Sequence, residues 1–492
     1  MHIPALPTTS LPQFLHFQPV TLNGVSAKHL GGDPIDLGIA LLFSPPHTAD
    51  APLLRISPSL ILSQANIEAA SKSDRHLRDA LAAAGSLAYT PRGACIIFLL
   101  LRMSTAAGLL AGGERDAWCE YIQFLPRSIP LPTTWTAAER ALLTGTSLEA
   151  AVSAKLKALT TEFESFKAAT SEFPWAKAAW WDNDSLTLED WIHADCQFRS
   201  RSLEVPGHGV AMVPVLDFAN HSDMANAYFA VGKDEAVELR LRPGAQINER
   251  DEVTIDYSGE EKSAAEFVFS YGFLPDTMGS AGSLRLPVPC AEDDPLVRAK
   301  HTVWPRDRAV RVFEEGEEVH WSSDWVYLSV ANEEDGLTFQ VLQTNEGGRW
   351  LRVSFGDEDE ELDLLANPQK LKELLRAGKM WEVFELRAVA TVKGVVEDTL
   401  QRLLKGRDAM EEEAAEGEEL ELRPQPDIVG KKLRDLEETL LLRAVETLET
   451  QMETLVQHPT VQSYLSAVQE QQSSEDQQAE SVEGEDGEID LS

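Results

Sequence analysis

Five polar side chains near the middle of the chain have types and spacing that a binding or catalytic site could use. Asp217, Asn220 and His221 fall within five residues after an apolar run, and Tyr257 and Tyr271 follow two further β-compatible runs. They offer carboxylate, amide, imidazole and phenol groups for hydrogen bonding. The same residues also fit an ordinary turn and tyrosines at the rim of a core. Residue types alone leave both interpretations open.

The elements that must position these side chains change in character along the chain. Apolar runs that begin at Gly38 and Ala51 predict strands joined by a turn-rich loop. Residues 75–125 and 146–168 carry apolar side chains at spacings of three and four, which predict helices. From about residue 205, short β-rich runs return. This β, α, β order predicts one domain with helices inserted between two sets of strands.

The C-terminal part of the chain predicts a second domain. Leu and Val recur at helical spacing in residues 362–378 and 431–457. Residues 411–421 predict a solvated acidic loop, and the last twenty residues hold almost no apolar side chains, so we expect them to be disordered. The predicted boundaries are an extended arm at 1–20, a first domain at 21–280 with its helical insert at about 75–195, a mostly helical domain at 281–470 and a disordered acidic tail at 471–492.

Composition restricts the class of protein. The 492 residues are 43% hydrophobic and include 11 Trp, which excludes a wholly disordered or fibrous chain. A net charge of -38 argues against binding to nucleic acid and favours either solubility or a basic, Lys-rich protein partner. No signal peptide and no apolar run near 20 residues is visible, so we expect no membrane association and a location in the cytosol or nucleus.

Two segments resemble the motifs of a known family. PVLDFANHS at 214–222 and DEVTIDYSGEEKSAAEFVFSYGF at 251–273 are similar to motifs of the SET-domain protein methyltransferases, in the group typified by the Rubisco large-subunit lysine methyltransferase. Further similar segments are EYIQFLP at 120–126, the Trp135 to Glu139 spacing, LLTGTSL at 142–148 and LEDWIHADCQFRSRSL at 188–203. Their order and spacing over residues 38–275 would not be expected by chance.

The resemblance implies an α+β fold: a SET domain of short β-sheets with a helical insert, followed by a mostly helical substrate-binding domain. It also implies methyl transfer from S-adenosylmethionine to a side-chain nitrogen of a protein, most often a lysine. Because only a neutral amine can attack, such a site must desolvate the acceptor, whose free pKa is about 10.4. It must also hold the amine, the methyl carbon and the sulfur in line.

The resemblance assigns the cofactor site residue by residue. Gly38, Ile39 and Ala40 match a segment whose backbone lies against the cofactor. Asn220 and His221 match the pair that holds its amino-acid end and its adenine. Ala40 replaces a family glycine, and its methyl group could lower cofactor affinity.

The acceptor side of the site is assigned in the same way. Tyr257 matches the catalytic tyrosine beside the methyl group, and Tyr271 matches a tyrosine of the substrate channel. Arg201, Asp217 and Tyr228 match or resemble further substrate-binding residues. An ion pair between Arg201 and Asp217 that only fixes the strand end is an equally open alternative.

No metal is expected, because Cys95, Cys119, Cys196 and Cys290 form no CxxC pair and match no zinc cluster of related proteins. The sequence thus predicts a monomeric lysine methyltransferase that acts on a non-histone protein, possibly a ribosomal protein. Two alternatives remain: a protein-histidine methyltransferase, and a catalytically inactive SET-fold protein that binds basic partners. The inactive alternative rests on Ala40 and on Ala264, which replaces a family asparagine.

Overall fold

The computed structural model describes residues 1–29, 38–45, 51–257, 262–291, 293–343, 347–356, 360–415 and 422–469. The predicted acidic tail and residues 416–421 of the predicted acidic loop lie outside these ranges. The chain divides into two compact units. The first contains Met1–Leu143, Leu148–Gly279 and Glu419–Leu433, and the second contains Thr144–Ser147, Ser280–Glu418 and Arg434–Ser492.

Short antiparallel sheets build the first unit. Their strand orders are β1-β4-β8-β7, β2-β3-β9 and β5-β6. Strands from before and after the helices pair with each other, β4 with β8 and β3 with β9, which confirms the predicted β, α, β arrangement. The strands are β1 (Val20–Leu22), β2 (Val25–His29), β3 (Ile39–Phe43), β4 (Leu54–Ile56), β5 (Ser202–Val205), β6 (Gly209–Met212), β7 (Ala227–Val231), β8 (Val237–Leu241) and β9 (Glu252–Val253).

Helices fill the stretch between β4 and β5, one precedes β1 and one follows β9. The apolar run from Ala94 to Leu101 lies in α4 and is fully buried, because it is the central helix of this core. The helices are α1 (Leu11–His16), α2 (Gln64–Ser71), α3 (Arg75–Ala84), α4 (Pro91–Ala106), α5 (Ala117–Tyr121), α6 (Ala137–Ala141), α7 (Ser147–Thr170), α8 (Pro174–Ala176), α9 (Leu188–Arg201) and α10 (Ala264–Tyr271).

The N-terminal segment is not the extended arm that the sequence predicts. Leu11, Phe14 and Leu15 lie on one face of α1 and are buried in the first core. Pro12 does not prevent this helix, because a proline in the first turn loses no helical hydrogen bond. The burial of these three side chains in the core decides the structure of this segment.

The second unit combines two antiparallel sheets with helices. The mostly helical prediction describes its C-terminal part, whereas residues 283–361 contain the orders β10-β11-β12 and β13-β14-β15. The strands are β10 (Ser283–Pro287), β11 (Ala309–Glu315), β12 (Glu318–Ser322), β13 (Leu337–Gln343), β14 (Arg349–Phe355) and β15 (Glu360–Glu361). The helices are α11 (Val297–Val303), α12 (Trp325–Val330), α13 (Lys370–Ala377), α14 (Trp381–Ala415) and α15 (Pro424–Val456), of which Arg434 onward is grouped with this unit.

The stretch 422–433 differs from the predicted domain boundaries, because it is grouped with the first unit. Arg423 donates from its Nε to Glu139 Oε1 at 2.7 Å and from its Nη2 to Glu139 Oε2 at 2.6 Å. Lys432 Nζ donates to the carbonyl of Pro275 at 2.8 Å. These contacts, which join residues far apart in the sequence, explain the grouping.

Candidate active site

A parallel bridge brings the two motif segments together. The N–H of Ile255 donates to the carbonyl of Asn220 at 2.9 Å, and the N–H of Ser222 donates to the carbonyl of Ile255 at 3.1 Å. The first motif therefore lies beside the chain that follows β9. This pairing places Asn220 and His221 next to Tyr257.

Asp217 is held in a buried network at the start of the first motif. Tyr121 donates its hydroxyl proton to the Asp217 carboxylate, and the N–H of Val215 donates to the Tyr121 hydroxyl at 2.8 Å. Val215 has a φ of +70°, a strained value for a β-branched residue, which this hydrogen bond helps to maintain. Burial raises the pKa of both Asp217 and Tyr121.

Arg201 completes this network from the end of α9. Its Nη1 donates to Asp217 Oδ2 at 3.2 Å and to the Asp217 carbonyl at 3.1 Å, and its Nε donates to Gln197 at 3.1 Å. The Asp217 side chain is 1% exposed. These contacts favour the ion-pair interpretation, and a contact of either residue with substrate stays a prediction.

Asn220 and His221 make their contacts in different directions. Asn220 Nδ2 donates to Glu252 Oε1 at 2.7 Å. His221 Nδ1 accepts the N–H of Tyr257 at 3.0 Å, so its Nε2 carries the proton and donates to Asp223 at 2.9 Å. Both imidazole nitrogens are therefore engaged, and the ring supports the backbone of Tyr257.

Tyr257 is partly buried and keeps its proton. Its hydroxyl donates to the carbonyl of Ala219 at 2.6 Å. Burial raises the pKa of this phenol well above its usual value, with a smaller opposing effect from the charge of Arg201. Tyr257 is therefore protonated at neutral pH.

An aromatic cluster surrounds Tyr257. Its members are His221, Tyr257, Phe267, Tyr271 and Phe273, with neighbouring ring centroids 4.9 to 6.2 Å apart. Such a cluster gives an apolar environment that disfavours water, and its ring faces can stabilise cations.

The turn after α10 sets the positions of Tyr271 and Phe273. Ser263 and Glu266 cap the start of this helix through reciprocal hydrogen bonds. The helix ends at Gly272, whose φ is +77°, and a Cβ there would lie 2.6 Å from the carbonyl oxygen of Pro130. Only glycine fits this position, which explains why a glycine stands between Tyr271 and Phe273.

Lys262 is a site residue that the sequence analysis missed. Its Nζ donates to the Tyr271 hydroxyl and to the Tyr257 carbonyl, both at 2.6 Å. The same atom lies 4.8 Å from the Tyr271 ring centroid. Glu252, the partner of Asn220, was also missed. Both residues lie inside the motif segment 251–273, so this motif is the sequence feature that could have identified them.

The predicted cofactor segment lies at the start of β3. Ile39 and Ala40 are buried, and β3 pairs with β9 through Leu41 opposite Val253 and Leu42 opposite Glu252. Gly38 is exposed, and a Cβ there would contact no described atom within 4 Å. The sheet therefore links this segment with the strand that carries Glu252.

Tyr228 lies apart from the cluster in the contacts that the structure describes. It is on β7, opposite Arg240, with 37% of its surface exposed. No ring contact joins it to Tyr257 or Tyr271 within the described residues. Its proposed place in the substrate channel stays a prediction.

Two other kinds of feature are absent from the described residues. In the part of the chain that the structure describes, no three His, Cys, Asp or Glu side chains are grouped to hold a metal ion. Likewise, none of the described helices combines the length and the apolar character that a membrane span requires.

Comparison with solved structures shows the fold. The crystal structure of the SET domain of LSMT bound to lysine and AdoHcy superposes with a TM-score of 0.64 over 92% of both chains, at 17% identity. The structure of Rubisco LSMT bound to AdoMet gives 0.62 over 92% of this chain and 93% of that one, at 16% identity. The chain thus has the SET-domain fold of the LSMT-like group, which confirms the resemblance predicted from its motifs.

Sequence comparison also finds a SET domain-containing relative, which matches part of the chain. SET domain-containing protein 8 of Schizosaccharomyces pombe is 35% identical over 230 residues, which are 46% of this chain and 51% of that protein. The chain therefore matches about half the length of this relative. No family model matches the sequence.

Proposed function

We propose that the chain is an S-adenosylmethionine-dependent protein methyltransferase whose acceptor is a lysine side chain. The observation that carries the proposal is the convergence of Asn220, Tyr257 and Tyr271 in the LSMT fold, whose solved structures are bound to AdoMet, AdoHcy or lysine. The cofactor is cationic at its sulfur and its amino group. Acceptor atoms and ring faces fit such a group, and they line this region.

When bound, S-adenosylmethionine supplies an electrophilic methyl group. The protein's part is to hold the acceptor amine neutral and aligned. The rings of Tyr257, Tyr271 and Phe267 desolvate that amine, and the fixed charge of Lys262 disfavours a second cation nearby. Both effects lower the pKa of the acceptor.

Tyr257 acts through its oxygen and not as a base. Its proton is directed to the Ala219 carbonyl, so the remaining lone pair is free to accept from the acceptor amine. The raised pKa of Tyr257 keeps the hydroxyl protonated, and the amine proton is lost to solvent before attack. The hydroxyl thus orients the amine.

The substrate proposed is a basic, non-histone protein, with a ribosomal protein as one candidate. The charge of -38 supports this, since it attracts Lys-rich segments and repels polyphosphates. Action as a monomer in the cytosol or nucleus belongs to the same proposal. The acceptor can be identified by hydrolysing labelled product, because methyl-lysine and methyl-histidine separate chromatographically.

The test is incubation of purified protein with methyl-labelled S-adenosylmethionine and a cell lysate. A labelled protein band that is absent with Tyr257→Phe supports the enzyme. A methyl-histidine product would replace lysine by histidine as acceptor.

The second candidate is an inactive SET-fold protein that binds basic partners. The observation that favours it is Ala40, which is fully buried where the resemblance has glycine. Calorimetric titration with S-adenosylmethionine separates the two candidates. Absence of cofactor binding would exclude the enzyme and leave the interaction protein.

A further inference from the structure

Glu252 is fixed at the edge of the candidate cofactor site. Its Oε1 accepts from Asn220 Nδ2 at 2.7 Å, and its backbone carbonyl accepts from Asn226 Nδ2 at 2.8 Å. Asn226 Oδ1 in turn accepts the N–H of Thr254 at 3.0 Å. The backbone of β9 is thus held by Asn226, while the Glu252 carboxylate is left to contact Asn220.

This contact determines which way the Asn220 amide points. A carboxylate only accepts hydrogen bonds, so the amide must present its NH₂ group to Glu252. Its Oδ1 then points the other way, and among the described residues it has no hydrogen-bond partner. An amide oxygen without a partner can accept a hydrogen bond from a ligand. The bond is strongest when the donor is a cationic ammonium group.

The position of Glu252 in the sheet agrees with a ligand beside the Asn220 amide. Glu252 lies directly opposite Leu42 on antiparallel strands, so their side chains share one face of the sheet. Ala40, two residues before Leu42, presents its side chain to the same face. Glu252 therefore lies on the same face of the sheet as Ala40, which belongs to the segment assigned to the cofactor.

We propose that Glu252 is a positioning residue, which orients the Asn220 amide so that its oxygen receives the α-ammonium group of the cofactor. This rests on the proposed function. Glu252 thereby selects nucleosides that carry the amino-acid end over nucleosides that lack it.

Two thioether probes test this by calorimetry. S-adenosylhomocysteine carries the amino-acid end, and 5′-methylthioadenosine lacks it. Glu252→Gln keeps the size of the side chain but lets Asn220 rotate, so affinity for S-adenosylhomocysteine should fall about tenfold. Affinity for 5′-methylthioadenosine should stay within about twofold. Glu249→Gln removes the same charge from an exposed residue nearby and should change neither affinity.

The Asn220→Ala background gives a second, independent readout. If Glu252 acts through Asn220, adding Glu252→Gln to Asn220→Ala should cause no further loss of S-adenosylhomocysteine affinity. Additive losses, or an equal loss for both probes, would overturn the inference and make Glu252 merely structural. If wild type bound neither probe, the proposed function itself would fail, which is a distinguishable result.

Discussion

Among the described residues, the hydroxyl of Tyr257 has one hydrogen-bond partner, the Ala219 carbonyl, and burial raises its pKa. Tyr257→Phe keeps the ring but loses the group that orients the acceptor. We expect the single-turnover rate to fall about tenfold or more, while the dissociation constant for S-adenosylmethionine changes little. Rapid-quench kinetics and calorimetry measure the two quantities.

The matched control is Tyr89→Phe, which removes a phenol oxygen from a side chain that is 79% exposed. It should leave both quantities unchanged. A Tyr257→Phe variant that lost cofactor binding and kept its rate would contradict the role assigned to the hydroxyl.

Ala40 tests how closely β3 approaches the cofactor. If its methyl group crowds the ligand, Ala40→Gly should bind S-adenosylmethionine more tightly, by severalfold. The same change should lower the melting temperature slightly, because glycine in a strand costs about 0.5–1 kcal/mol. An unchanged dissociation constant would show that the cofactor does not approach this Cβ.

At the scale of elements, α6 is joined to the stretch 422–433 by Glu139 and Arg423. The hydrogen bond from Arg423 is the main cause that lowers the pKa of Glu139 from 4.5 to about 2. Because the folded-state pKa is lowered, this stabilisation is present above pH 4.5 and is lost as the pH falls toward 2. Acid should therefore weaken this connection.

Glu139→Gln should lower the free energy of unfolding at pH 7 by about 1–3 kcal/mol, with Arg423 partly screened by solvent. Melting curves at pH 7 and pH 3 should show a smaller acid effect in the variant than in wild type. Glu164→Gln, at an exposed position of α7, is the control. An equal acid effect in all three proteins would contradict this assignment.

Glu437 of α15 gives the opposite pH dependence. Burial raises its pKa from 4.5 to about 7, although hydrogen bonds from the Ser147 N–H at 2.9 Å and its hydroxyl oppose the shift. Its stabilising contribution is complete below pH 4.5 and is lost as the pH rises through about 7. Glu437→Gln resembles the neutral form in shape.

This variant should therefore melt close to wild type at pH 5 and at a higher temperature than wild type at pH 8. Glu446→Gln, an exposed change on the same helix, should show no such crossover. A variant that melted below wild type at pH 8 would mean that the ionised Glu437 is stabilising.

At the scale of the whole molecule, charge sets the expected partner. Residues 471–492 contain eight Asp and Glu and no Lys or Arg. Deleting them should change the melting temperature by no more than a few degrees, because the segment offers too few apolar side chains for a core. Its loss should raise the Michaelis constant for a Lys-rich substrate at low salt, and the effect should vanish at high salt.

The sequence predicted the features that depend on local pattern. The β, α, β order followed from apolar periodicity, and the motif segments identified Asn220, His221, Tyr257 and Tyr271, which the structure brings together. The motifs also marked Arg201 and Asp217, but residue types could not separate an ion pair from a substrate contact. Their distances and burial show the ion pair, and a contact of either residue with substrate stays a prediction.

By itself the sequence predicted the SET fold and marked candidate residues for its site, because short motifs and periodicity act within tens of residues. Only the tertiary structure decided that Leu11–His16 is a helix, since the burial of Leu11, Phe14 and Leu15 outweighs an uninformative local pattern. It also decided that Arg423 reaches Glu139, 284 residues earlier, and that Asn220 donates to Glu252. Such pairs leave no local signal, because they form when distant segments share one core and must satisfy their polar groups there.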